Sequence, residues 1–200
     1  MPTSSGPPDL TGFRKWHRAT KEPFQISDVI AARCYMVPAD QDFYRRTKLE
    51  PPAFKFFPHR GFMVHVYVND IGKPSMTLDG KPFPEGSIVV KEKFPVGGID
   101  RTSYKPILKA AAVLTVMRKC EKGFAPDTGD WEYFTGDPKS LKLTEPGWKQ
   151  IADCKSCHMH YKDRDYITKS YLVDEYTYTK LEKSRHRVWS PPGEATPRPH

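Results

Sequence analysis

The stretch Phe62–Asp70, FMVHVYVND, decides what kind of fold this chain forms. Valine and the aromatic residues fit the pleated, half-buried surface of a strand better than the tight wall of a helix. Asn69-Asp70 then supplies a turn. Ser87–Phe94 (SIVVKEKF), entered through Pro84-Glu85-Gly86, repeats the strand pattern. Ala110–Arg118 (AAAVLTVMR) fits a strand or a buried helix, and Val113, Thr115 and Val116 favour the strand. Trp131–Thr135 (WEYFT) is a strand bounded by Gly-Asp pairs, and Tyr166–Tyr178 reads as a last one.

Helical signals are few and short. Leu10, Phe13 and Trp16 recur at three-residue steps, which predicts a helix over Leu10–Thr20. Ala39–Lys48 and Pro146–His158 are two further helical segments, the last with Trp148, Ile151 and Ala152 on one side. The 20 prolines break the chain too often for long helices. The expected class is therefore α+β: a mainly antiparallel sheet with a few short helices. With 200 residues the chain suits a single domain over 10–189. Residues 1–9 form a flexible N-terminus, and the Pro-rich tail 190–200 is expected to be disordered.

The formal net charge of +8 describes a basic exterior suited to acidic partners. No Lys/Arg run is dense enough to form a nucleic-acid arm. The longest apolar run, Ala110–Met117, is far too short to cross a bilayer, so no membrane insertion is expected. The N-terminal Met-Pro-Thr-Ser-Ser-Gly-Pro-Pro lacks the basic and apolar regions of a signal peptide, and the expectation is the start of a processed or recombinant chain.

The chemistry concentrates in DCKSCHMHY, residues 153–161. In Cys154-Lys155-Ser156-Cys157-His158, two thiols one helical turn apart reach two haem vinyl groups. The next residue directs its imidazole at the iron. From this chain's Cys and His content, such a match arises by chance only about 0.003 times. A structural zinc site needs a second close ligand pair, which is missing. A thioredoxin-type pair needs a βαβ setting. One motif implies one haem c, held by Cys154 and Cys157 with His158 as proximal ligand. Haem c is attached outside the cytoplasm, so a periplasmic or other extracytoplasmic location is expected. There the remaining Cys34 and Cys120 are either two buried thiols or a disulfide worth about 4–5 kcal/mol.

The motif comes late in the chain, whereas small electron carriers have it early with a methionine ligand after it. Met159, adjacent to the proximal histidine, cannot reach the opposite face of the iron. A sixth ligand would come from Met36, Met63, Met76, Met117, His17, His59 or His65, none of which is marked out. The four-helix cytochromes c′ also carry a late motif, but they need long helices that this chain does not offer. The expected iron is five-coordinate, with an open face for binding a small molecule.

Several elements in order, FRKW, VYVND, FPEGSIVVKE, GDWEYF, CKSCH and DYITKSYL, resemble the cytochrome P-460 family and its relative cytochrome c′-beta, from about Phe13 to Leu172. The resemblance implies a twisted antiparallel sheet and a homodimer. It also implies hydroxylamine oxidation to nitrous oxide or nitric oxide, with electrons passed to a c-type cytochrome, here an acidic one. In the crosslinking branch a strand lysine bonds to the haem macrocycle, and the matching position is Lys91. On its strand Lys91 shares a face with Ser87 and Val89. A lysine turned into a haem pocket loses hydration, and its amine becomes nucleophilic.

That branch also implies a distal arginine where this chain reads Met63-Val64-His65. His65 and Arg60 are the candidates to substitute, and Glu132 and Asp137 are the candidate proton acceptors. The cytochrome c′-beta branch lacks the crosslink and binds nitric oxide or carbon monoxide under a dry cap, which Phe54, Phe56, Phe57 and Phe62 would line. A plain electron-transfer cytochrome is the third possibility.

Overall fold

The computed structural model of the chain describes residues 6–25, 62–144, 154–155, 157–159 and 161–173. Its strands run in order as β1 (His17–Arg18), β2 (Phe24–Gln25), β3 (Phe62–Val68), β4 (Ile88–Ile99), β5 (Pro106–Leu108), β6 (Val113–Lys119), β7 (Trp131–Gly136) and β8 (Leu143–Thr144). The main path of the sheet is β1-β3-β4-β6-β7-β8, with β2 paired to β3 and β5 to β4. Every pairing is antiparallel. The expected class, α+β with a mainly antiparallel sheet, is the class observed.

Register sorts the side chains. Val66, Lys91, Thr115 and Thr135 lie opposite one another across β3, β4, β6 and β7. They therefore share one face with their neighbours two residues away. That face buries Val64, Val66, Val68, Val89, Met117, Trp131 and Tyr133 against Met76, Phe83, Tyr166, Ile167 and Tyr171. Each valine so buried stabilises the fold by about 1.5–3 kcal/mol. The opposite face carries Tyr67, Val90, Leu114, Val116 and Phe134, capped by Leu10 and Phe13. Phe13 packs edge-on against Tyr67 with ring centroids 5.3 Å apart. Beside it Arg14 donates to the buried Glu92 carboxylate at 2.6 Å.

Some expectations need correction. Leu10–Thr20 is not a helix: it holds a 3-10 turn at Phe13–Lys15 followed by β1. A three-residue apolar repeat also fits the eclipsed side chains of a 3-10 turn, and Gly12 enters that turn at φ 72. Tyr166–Val173, expected as strand, instead contains a 3-10 turn at Ser170–Leu172. β4 runs on to Ile99, past the predicted end at Phe94, through an irregularity between Val96 and Gly98. Asn69 opens the expected turn, its carbonyl accepting from the Gly72 N–H at 3.1 Å. Its Oδ1 accepts from the backbone N–H groups of Gly72 and Ile88, both at 3.1 Å, and so ties β3 to the start of β4 across a long connection. The predicted helix Ala39–Lys48, most of Pro146–His158 and the tail 190–200 lie outside the described residues; 154–155 and 157–159 are helical.

Candidate haem site

β4 turns two lysines onto the face that the CxxCH segment covers. Lys91 is 5% exposed and Lys93 1%. Both interact electrostatically with Cys154, and both lower the proton affinity of His158. Burial, opposed by the Cys154 sulfur, brings the Lys91 amine down to about 8. Burial and the Lys91 charge bring Lys93 down to about 7. Alternation along VVKEKF puts Lys91 and Lys93 on the same face, and that parity was the signal available for Lys93, which the sequence reading passed over.

His158 is buried, and its Nδ1 lies 2.6 Å from the Tyr166 carbonyl oxygen. A carbonyl only accepts, so Nδ1 carries the proton and Nε2 keeps its lone pair. Burial, reinforced by the Lys91 charge, lowers the imidazole to about 3, so it is neutral at pH 7. A neutral ring with Nδ1–H bonded to a carbonyl is the arrangement a metal-ligating histidine needs. The Tyr133 ring stands 5.5 Å from the His158 ring.

Two polar atoms on this face are buried with no hydrogen-bond partner among the described residues: Tyr133 OH and Thr115 Oγ1. Thr115 lies directly opposite Lys91. Orphaned buried hydroxyls cost about 1–3 kcal/mol each. Two of them, beside buried amines and a ligand-competent imidazole, fit a bound group that brings its own polar atoms and a metal. Cys154 is a half-buried thiol packed against the core. Cys157 is disulfide-bonded. A sulfur cannot hold a disulfide and a thioether together, so attachment at Cys157 requires that bond to be reduced first.

The distal candidates lie elsewhere. His65 is on the opposite face, where Nδ1 sits 3.0 Å from Thr20 Oγ1 and the ring packs against Phe94. Glu132 is on that face too, paired with Arg118 and accepting from the Cys120 thiol. Asp137 is fully solvated and accepts from the Lys139 and Ser140 N–H groups of an exposed turn. Cys120 is a thiol that burial pushes up to about 11, so it forms no bridge with Cys34. Among the possible sixth ligands, Met63 shares the far face with His65, His17 is exposed, and Met76 accepts from Tyr171 OH. Arg60, Met36, His59, Phe54, Phe56 and Phe57 fall outside the described residues.

An antiparallel sheet bearing buried amines, facing a CxxCH histidine with Nε2 available, fits a cytochrome of the haem c class. The chain matches Cytochrome P460 over residues 41–169, well over half its length, and belongs to that family. No curated protein matches it. Membership implies a c-type haem and haem-based enzyme chemistry. The group fits Cys154, Cys157 and His158, with Lys91, Lys93, Thr115 and Tyr133 alongside.

The buried bases make stability pH-dependent. Below pH 7 Lys91 and Lys93 are protonated in both states, and the folded state carries the full cost of burying them. Between about pH 7 and 10.5 the unfolded chain binds more protons, so stability climbs with pH. His158 adds a loss as pH falls from 6.5 towards 3. Lys93→Met should raise the stability of the haem-free chain at pH 6 by a few kcal/mol, of order the 1.4 kcal/mol per pKa unit that burial imposes. It should also flatten the rise above pH 7. Urea unfolding at pH 6, 7.5 and 9 measures both.

Proposed function

We propose that the protein is a periplasmic mono-haem enzyme that oxidises hydroxylamine to nitrous oxide or nitric oxide. The observation that carries this reading is Lys91, a buried strand amine in electrostatic reach of Cys154 and His158, at the position that the sequence resemblance matches to a crosslinking lysine. Bound haem c supplies the iron that takes the substrate's electrons. Cys154 and, once its disulfide is reduced, Cys157 would fasten the group, and His158 would ligate through Nε2. Lys91 would link to the macrocycle through its desolvated, nucleophilic amine, an amine N–H and a macrocycle C–H being lost with two electrons to an external oxidant such as a peroxide. Removing electrons from N–H and O–H bonds without removing protons would build up charge, so a base is needed. Lys93, with proton affinity near neutral pH on the same face, is the residue assigned to that task.

The electron acceptor in this reading is an acidic c-type cytochrome. The net charge of +8 favours it. So do Arg101, Lys105 and Lys109 around the exposed Ile99, Tyr104 and Ile107 on the β4–β5 hairpin. A homodimer is the assembly the family suggests.

Peptide mapping of the haem-loaded protein tests the assignment. The expected product is a haem-bearing CKSCH peptide joined to the Lys91 peptide, together with a broad, red-shifted ferrous Soret band. Separate peptides and an ordinary Soret band that moves with carbon monoxide would replace the enzyme with a gas-binding cytochrome of the c′-beta kind.

A further inference from the structure

His158 is held by a backbone carbonyl, and something must hold that carbonyl. Tyr166 O, the acceptor for Nδ1, follows Asp165 directly. Asp165 is tied at three points. Its Oδ1 takes a hydrogen bond from Lys119 Nζ at 2.5 Å, its Oδ2 one from the Phe83 N–H at 2.7 Å, and its carbonyl oxygen one from Trp131 Nε1 at 2.9 Å. Lys119 ends β6 and Trp131 begins β7, so two of the ties come from the sheet itself. The Tyr166 N–H closes back onto Tyr161 O at 2.7 Å, and the Tyr161 N–H onto His158 O at 3.0 Å. Asp165 and Tyr166 both stand in the left-handed region, at φ 53 and φ 63. Such residues cost about 1–3 kcal/mol each and persist only where the surroundings over-determine them, as at functional sites.

From this geometry we infer that Asp165 is the positioning residue of the axial histidine: it fixes the Tyr166 carbonyl against Nδ1 and so sets how strongly His158 donates to the iron. The inference rests on the haem reading above. A well-placed Nδ1–H···O=C bond orients the ring and raises its basicity, which favours the ferric state. Loosening the strap lengthens that bond and makes the ring a poorer donor.

Asp165→Asn is the direct test. Asparagine tolerates the left-handed backbone, so the chain path is kept while the charge facing Lys119 is lost. In the haem-loaded protein the reduction potential should shift upward and the ferrous iron–histidine stretching frequency should fall. Trp131→Phe and Lys119→Met each remove a different tie and should move both readouts the same way. They carry the test if Asp165→Asn does not fold. Glu132→Gln is the control, because it breaks an ion pair on the opposite face. It should lower stability without moving either readout. Folded, haem-loaded Trp131→Phe and Lys119→Met proteins with wild-type potential and stretching frequency would overturn the inference. A wild-type protein with no thioether-bound haem would instead overturn the haem reading beneath it.

Discussion

Lys91→Met should leave haem attached and end hydroxylamine oxidation. Methionine keeps the volume and the unbranched stem but has no amine, so β4 retains its packing. In the haem-free chain, removing this buried cation from beside His158 and Lys93 should also raise the proton affinity of both. In the proposed reading haem is fastened at Cys154 and Cys157, which lie outside β4, so haem content should match the wild type. What should disappear, on the proposed function, is the link to the macrocycle and the distortion that accompanies it, one of the protein's levers on haem electronics. Turnover should fall to the level of a haem c without the link. The ferrous Soret band should narrow and return to the position of an ordinary five-coordinate haem c. Steady-state oxidation assays and optical spectra on one preparation decide the matter. Full activity in Lys91→Met would remove Lys91 from the chemistry, while lost activity with an unchanged Soret band would deny the crosslink. Lys93→Met keeps the link, so its Soret band should stay red-shifted while proton transfer slows.

The strands were legible because β-branched residues cluster where strands form. FMVHVYV, SIVVKEKF and WEYFT each fall on an observed strand. Their register was not legible, since pairing between distant strands is set by the packed core rather than by local pattern. That is why His65 and Glu132 stood beside Lys91 as site candidates although both point to the other face. Alternation within β7 already separates Glu132 from Tyr133, but only the register tells which of the two meets Lys91. The Tyr166 segment misled for another reason. Its composition suits a strand, yet Asp165 is tied to Lys119, Phe83 and Trp131, and those ties override local preference. Lys119 and Asp165 are 46 residues apart, so no window of sequence reveals their meeting. The CxxCH motif, by contrast, is local chemistry, and its spacing can be read directly.

Gly129→Ala should be among the most damaging single-methyl additions in the protein. Gly129 adopts φ +62, and a Cβ there would stand 2.3 Å from Cε2 and 2.5 Å from Cδ2 of the Tyr166 ring. The left-handed backbone costs an alanine about 1–2 kcal/mol. The ring cannot step aside, because Tyr166 is buried in the core cluster with Tyr133, Trp131 and Ile167. Overpacking adds about 1–3 kcal/mol. The sum is roughly 2–5 kcal/mol, or a Tm lower by about 4–20 °C for a chain of this size. Gly123→Ala separates the two contributions. Gly123 stands at φ +93 with nothing within 4 Å of its Cβ position, so it should lose only the backbone part. The difference between the variants measures the pressure on Tyr166. Because the Tyr166 carbonyl is the acceptor for His158 Nδ1, that pressure should reach the iron. Gly129→Ala should therefore lower the iron–histidine stretching frequency while Gly123→Ala leaves it alone. Equal losses of Tm in the two variants would mean that the ring yields, and that the strap is softer than its ties to Lys119, Phe83 and Trp131 require.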